Sequence, residues 1–203
     1  MAAGTALKDG KATEKTYQEE YKLVGYFGRI NYNYQGKYYL SASIRHEGSS
    51  KFGADHKWGT FPAVSIGWNL KEESFLKNVN FLSFLKLRAG YGITGTIPGN
   101  PYLSLNTLDL GGYGYYGGQW TTLLRASSNP NPDLRWEKKK ETNIGLDFAF
   151  FNDRISGSID WYNRDTDDLI WDYTVSVPPY VKNTITANAG SIRNRGLEVS
   201  LNF

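Results

Sequence analysis

A chain of 203 residues with 15 Tyr, 6 Trp and 22 Gly beside a single Met is rich in residues that favour strands and turns and poor in strong helix formers. Cysteine is absent, which excludes disulfide frameworks, cysteine–zinc sites and thiol catalysis, and a formal charge of +3 without a basic cluster gives no indication of a nucleic-acid partner. Mean hydropathy is −0.50 and no run approaches the roughly 18 to 20 apolar residues of a membrane helix, but barrel strands alternate and keep that average low, so a β-barrel stays open.

Residues 1–21 are small, charged and aperiodic and read as a loop or disordered lead-in. The opening MAAGTALKDGKATEK has no basic region followed by an apolar run and is not a signal peptide. Alternation begins at Tyr26, with Tyr26, Gly28, Ile30, Tyr32 and Tyr34 on one side and Phe27, Arg29, Asn31 and Asn33 on the other. After a turn at Gln35-Gly36, Tyr38, Leu40, Ala42 and Ile44 continue the apolar side. Both sets are even-numbered, so a shared face requires a loop of odd length or a bulge.

The stretch 46–57 is polar and Gly-containing and reads as a loop, followed by a strand over 60–70 with Pro62, Val64, Ile66 and Trp68 on its apolar side. Residues 72–84 suit a short helical turn, with Phe75, Val79 and Leu82 on one side, and 85–93 alternates again. About forty residues, 94–136, then lack sustained periodicity, which argues against a compact soluble domain. In 142–162, Ile144, Leu146, Phe148 and Phe150 alternate with small and polar residues, and Ile155, Ile159 and Trp161 do so on the return. A two-residue turn at Asn152-Asp153 pairs Phe150 with Ile155, Leu146 with Ile159 and Ile144 with Trp161. Residues 163–190 are mostly irregular, with a strand extension at 169–177, and 196–203 is the last alternating run.

Short connections near 35–36, 71–84 and 152–153 thus alternate with long ones at 46–58, 94–136 and 163–190. That is the asymmetry of an outer-membrane barrel, and aromatics gathered at Tyr34, Tyr38 and Tyr39, at Phe148, Phe150 and Phe151, and at Trp68 suit its interfacial girdles. The expected fold is all-β, a partial antiparallel transmembrane β-barrel of about seven strands from a larger barrel. The alternative is a soluble β-sandwich, a carbohydrate-binding or adhesion module whose apolar faces pack on each other.

The linking sequences add a family. SIRHEGSSKFG (43–53), WGTFPAVSIGW (58–68), LKLRAGYGITG (85–95), NPDLRWE (131–137) and GSIRNRGLE (190–198) occur in that order. Together, across roughly 22–203, they resemble the C-terminal barrel region of SusC/RagA-type TonB-dependent outer-membrane transporters of Bacteroidetes. The resemblance implies a closed barrel of roughly 22 strands with a plug in its lumen and a location in the outer membrane. It also implies a SusD-like surface lipoprotein above the barrel, TonB acting through a TonB box, and a glycan or peptide as solute. Against that pattern the chain shows no plug and no TonB box, and is expected to be a barrel-wall fragment.

Within that frame, Tyr113, Tyr115, Tyr116 and Trp120 in a Gly-rich loop are candidate stacking surfaces for sugar rings or a peptide. Trp58, Trp136 and Trp171 border strands and read as structural. Arg29, Arg45, Lys86, Arg88, Asp147, Asp160 and Glu198 fall on the small, polar faces and are the candidate lumen-facing residues. Asn163, Asp165, Asp167 and Asp168 fail as a calcium loop, because the sixth and twelfth positions are Asp168 and Thr174 instead of Gly and Glu. His46 and His56, flanking Glu47 and Asp55, lack the spacing of a zinc site. No carboxylate pair has a recognisable catalytic scaffold, so no enzyme, metal or cofactor is expected.

Overall fold

The computed structural model describes the backbone of residues 3–8, 11–16 and 18–203 and the side chains of residues 18–203. In chain order the strands are β1 (Ala3–Lys8), β2 (Lys11–Thr16), β3 (Leu23–Tyr34), β4 (Tyr38–Ser49), β5 (Trp58–Asn69), β6 (Leu82–Thr96), β7 (Leu108–Tyr116), β8 (Gln119–Ala126), β9 (Glu137–Phe150), β10 (Ile155–Asp167), β11 (Ile170–Thr174), β12 (Thr184–Asn188) and β13 (Ser191–Asn202). The seven stretches read as alternating form one antiparallel sheet in the order β13-β10-β9-β6-β5-β4-β3, and the other strands pair off as β1-β2, β7-β8 and β11-β12. Within 1–21, read as a loop, β1 and β2 pair in register from Ala3–Thr16 to Lys8–Lys11.

Turn chemistry sets the register. Tyr34 pairs with Tyr38 across a three-residue loop, with positive φ at Gln35 and Gly36, so the odd loop keeps both even-numbered sets on one face. The turn between β9 and β10 is wider than two residues. Phe151, Asn152 and Asp153 all have positive φ, yet the pairing is Phe150–Ile155, Leu146–Ile159 and Ile144–Trp161. Between β5 and β6 the chain makes a 3₁₀ turn (Leu70–Glu72) and a single α-helical turn, α1 (Ser74–Lys77), while Leu82 belongs to β6 and is buried. These three short links share one rim.

The opposite rim carries the long connections, which hold more structure than their sequence suggests. The stretch 94–136 includes the end of β6, the β7-β8 hairpin and the lead-in to β9; 163–190 includes the end of β10 and the β11-β12 pair; and β4 runs on through His46 to Ser49. Gly117-Gly118 provide two successive positive-φ residues for the β7-β8 turn. A bulge between Leu110 and Gly112 flips the side-chain parity and hides the alternation, so Leu108 and Leu110 share a face with Tyr113 and Tyr115.

One face of the main sheet is apolar and uncovered: Ile30 is 72% exposed, Ile66 57% and Val199 59%. Among the described residues no second sheet packs on it, which removes the sandwich alternative. The apolar zone is also inclined to the pairing rows. Tyr32, Leu40, Ile66, Ala89, Ile144, Trp161 and Leu197 lie in one row across all seven strands. On β13 the apolar outward positions stop at Leu197, with Arg195 next, whereas on β3 they continue past Tyr32 to Val24. At about 3.4 Å per residue and 4.8 Å per strand, this climb across the sheet makes an angle of roughly 43° with the rows, within the 35–45° tilt of membrane barrel strands. A band set obliquely to the strands but level with a membrane is what lipid contact requires.

At the short-link rim, Tyr32, Tyr34, Tyr38 and Trp68 stack in succession at 6.5, 6.4 and 6.3 Å between ring centroids. Tyr39, grouped with them by sequence, faces the other way, beneath the Lys86 ammonium at 4.6 Å. Glu73, in the link after β5, accepts hydrogen bonds from Tyr38 Oη (2.6 Å), Trp68 Nε1 (3.1 Å) and Lys37 Nζ (3.2 Å). The Tyr38 hydroxyl above all, then Trp68 and Lys37, holds the Glu73 carboxyl below the usual carboxylate range. A depressed folded-state value stabilises the fold at neutral pH, and this contribution is lost as pH falls through that range. In urea titrations over a pH series, the stability difference between the native protein and Glu73→Gln should be constant near neutrality and shrink on acidification; a pH-independent difference would refute it.

Candidate functional site

The face opposite the apolar band carries Arg29, Arg45, Lys86, Arg88, Asp147, Asp160 and Glu198 together, because cross-strand pairing places them at alternate positions of one parity. Arg88 of β6 organises the centre. Its Nε and Nη2 donate to Asp147 Oδ2 and Oδ1 at 2.7 and 2.8 Å, and Nη2 also donates to Asp160 Oδ1 at 2.9 Å. To reach Asp160 on β10 the guanidinium crosses β9 at Gly145. A Cβ there would sit 2.3 Å from Asp160 Oδ1 and 2.8 Å from Arg88 Nη2, so this glycine is a gap through which the bridge passes. The bidentate fork to Asp147 is the strongest geometry available to such a pair.

The other candidates differ. Arg45 pairs with the buried Glu47 two residues along its own strand. The Arg29 guanidinium lies 5.4 Å from the Phe27 ring centroid. Glu198 is in the row of Arg88, Gly145 and Asp160 but has no ion-pair partner among the described residues. Farther toward the long-loop rim, Arg164 Nε donates to Glu141 at 2.9 Å. Between these groups, small and amide side chains leave a trough of about 520 Å³ lined by Asn31, Asn33, Tyr39, Lys86, Arg88 and Asn143. Such a surface offers hydrogen bonds to a polar, hydrated solute and no reacting centre.

Above the trough, the long connections build a core of their own that sequence reading did not find. Phe52 and Leu134 are fully buried, with Trp136 and Phe61 packed on them. The Trp136 ring lies 4.8 Å from Phe52 and 5.1 Å edge-on from Phe61, and its Nε1 donates to the Lys57 carbonyl at 3.0 Å. Gly53 is required by close approach, since a Cβ would meet the Pro132 carbonyl oxygen at 1.6 Å. Asn129 ties this core to the segment before β12. Its Nδ2 donates to the carbonyls of Lys182 and Thr184, and its Oδ1 accepts from the backbone N–H groups of Val181 and Lys182. Asn188 accepts from the Arg135 N–H and donates to the Arg135 and Asp168 carbonyls. The Arg135 guanidinium, 2.7 Å from Asp168, holds that carboxyl below its usual range. Asp165 and Asp167 likewise take Arg193 and Lys140 as partners. His46 stacks on Trp58 at 4.9 Å, and His56 approaches Asp133 at 4.0 Å.

Of the three tryptophans read as structural, only Trp136 is buried, while Trp58 and Trp171 are exposed. The aromatic candidates Tyr113, Tyr115, Tyr116 and Trp120 lie on the β7-β8 hairpin, which corrects their reading as loop residues. Tyr113, Tyr115 and Trp120 share one face, with Tyr115 and Trp120 edge-to-face at 5.5 Å, and Tyr116 lies on the other. All four are strongly exposed, Tyr116 at 85%.

The profile of the family described as TonB dependent receptor-like, beta-barrel, matches residues 3–203. The TonB-dependent receptor SusC of Bacteroides thetaiotaomicron is 43% identical over 96% of this chain, and the TonB-dependent receptor P39 of Formosa agariphila is 39% identical over 93%. The chain spans only 20% and 18% of those two proteins. Among solved structures, the RagAB peptide importer in its closed-closed state superposes with a TM-score of 0.81 at 29% identity, covering 94% of this chain and 20% of that one.

Proposed function

The chain belongs to the TonB-dependent receptor β-barrel family, and from that membership we propose that its seven-stranded sheet is a stretch of importer wall whose polar face lines the path of an oligosaccharide or peptide. It is a SusC/RagA-like outer-membrane protein and serves transport instead of catalysis. The observation that carries the wall reading is the oblique apolar band; in that reading Ile144, Leu146, Phe148, Ile155, Ile159 and Trp161 face lipid and the Arg88 face looks into the lumen. The long-connection rim, with its own core, then faces outside the cell and the short links face the periplasm.

In this reading a SusD-like surface lipoprotein sits over the long connections, and TonB acts through the plug of the intact protein. The β7-β8 hairpin presents Tyr113, Tyr115 and Trp120 as a platform on which sugar rings or peptide side chains stack, each ring contributing about 0.5–1.5 kcal/mol. In the intact transporter, Tyr115→Ala/Trp120→Ala should weaken binding of its solute by about tenfold or more, measured by calorimetry with oligosaccharide and oligopeptide panels. Unchanged solute affinity together with loss of the co-purifying surface lipoprotein would assign the hairpin to lid docking instead.

A further inference from the structure

We propose that the outward face of β9, β10 and β13, immediately above the apolar band, binds the phosphorylated headgroup of an anionic outer-leaflet lipid through Lys138, Lys140, Arg193 and Arg195. This rests on the membrane orientation argued above. Going up the outward side, the row Ile144–Trp161–Leu197 is followed by Thr142–Asn163–Arg195, then Lys140–Asp165–Arg193, then Lys138–Asp167–Ser191. Charge therefore begins one row above the last apolar one. At the corresponding edge of the band on β3–β5 the outward side chains are Tyr26, His46 and Trp58, which are aromatic and stacked on one another. The concentration of cations is particular to one sector of the wall.

Four cations face two carboxylates there. Lys140 Nζ reaches Asp167 at 2.9 Å, and Arg193 pairs with Asp165, whose second oxygen accepts from Asn163 Nδ2 at 3.0 Å. The carboxylates are thus drawn onto partners within the patch. Lys138 and Arg195 have no ion-pair partner among the described residues and are exposed. Alternate residues on a strand are about 7 Å apart, and β9 and β13 are about 10 Å apart, so the four side chains surround an area the size of a sugar-phosphate headgroup. A ligand for this place needs anionic oxygens at the level of the cations and hydrocarbon below, against Trp161 and Leu197. A phosphorylated lipid has both, and free phosphate has only the first.

The test uses the intact protein extracted from its outer membrane into an uncharged detergent, with native mass spectrometry reading retention of a diphosphorylated glycolipid, of its dephosphorylated form and of inorganic phosphate. Retention of the phosphorylated lipid alone is expected, falling about fivefold for each of Lys138→Gln and Arg195→Gln, which break no ion pair, and rising for Asp165→Asn. Equal retention of the dephosphorylated form would overturn the proposal, because acyl contact alone would then suffice; so would equally tight binding of inorganic phosphate. A protein that inserts and imports normally but shows no change in either variant defeats this site alone. A protein that fails to partition into membranes defeats the wall reading beneath it.

Discussion

Ile159→Arg in the intact barrel should lower its unfolding free energy by about 2–4 kcal/mol, measured by urea titration in lipid vesicles. Ile159 lies one row below Trp161, between Leu146 and Val199, inside the apolar band and away from both of its edges. A guanidinium there must either remain in hydrocarbon or bend the strand to reach water. Ser158, its neighbour on β10, faces the opposite side beside Asp147, where a cation meets water and a carboxylate. Ser158→Arg should therefore cost little. The contrast between adjacent residues carries the prediction, since a soluble sheet stripped of its partner would not separate them in this way. Equal costs for the two substitutions would refute the membrane reading.

The second large effect is local. Trp136→Ala should destabilise the long-connection core by about 3–5 kcal/mol, the range for removing a large buried aromatic. Trp136 is 3% exposed, touches Phe52 and Phe61, and satisfies the Lys57 carbonyl through its indole N–H. Its loss leaves a cavity and removes one of the two hydrogen bonds that the Lys57 carbonyl accepts, the other coming from the Ser49 N–H. The main sheet contributes Phe61 and Ile93 to that core but is held chiefly by its own strand ladder. Limited proteolysis should therefore nick 50–57 and 127–135 at an increased rate while the strands stay protected. Global unfolding, or no added cleavage, would show that the core is not the separate unit its packing suggests.

Period-two alternation made the wall legible in the sequence, because each of the seven strands keeps one face apolar. It also fixed the register: the even numbering of Tyr34 and Tyr38 demanded the odd loop that the structure contains. The β7-β8 hairpin escaped because the bulge at Gly111-Gly112 moves the outward large side chains from even positions (Leu108, Leu110) to odd ones (Tyr113, Tyr115) and breaks the count. The core around Trp136 escaped for another reason. Its partners Phe52 and Leu134 come from different connections, and nothing local in either segment marks the meeting. NPDLRWE signalled the family but not its task, which is to place Asn131, Leu134 and Trp136 against 51–57 and the β12 region. Nothing local to Gly145 distinguishes it from the chain's other glycines; its role follows from the pairing that sets Arg88 on one side of it and Asp160 on the other.

The order of the main sheet has a consequence for assembly. Its two free edges, β3 and β13, both run from the long-connection rim to the short-link rim. Rolled into a tube, they would meet as parallel neighbours, and the hydrogen-bond ladder of an antiparallel barrel would fail at that seam. Stitching copies of the sheet edge to edge, all with the same rim outside the cell, meets the same mismatch at every joint. Only an odd number of strands inserted between the two edges restores alternating polarity around the ring. The sheet thus fixes the parity of whatever completes it.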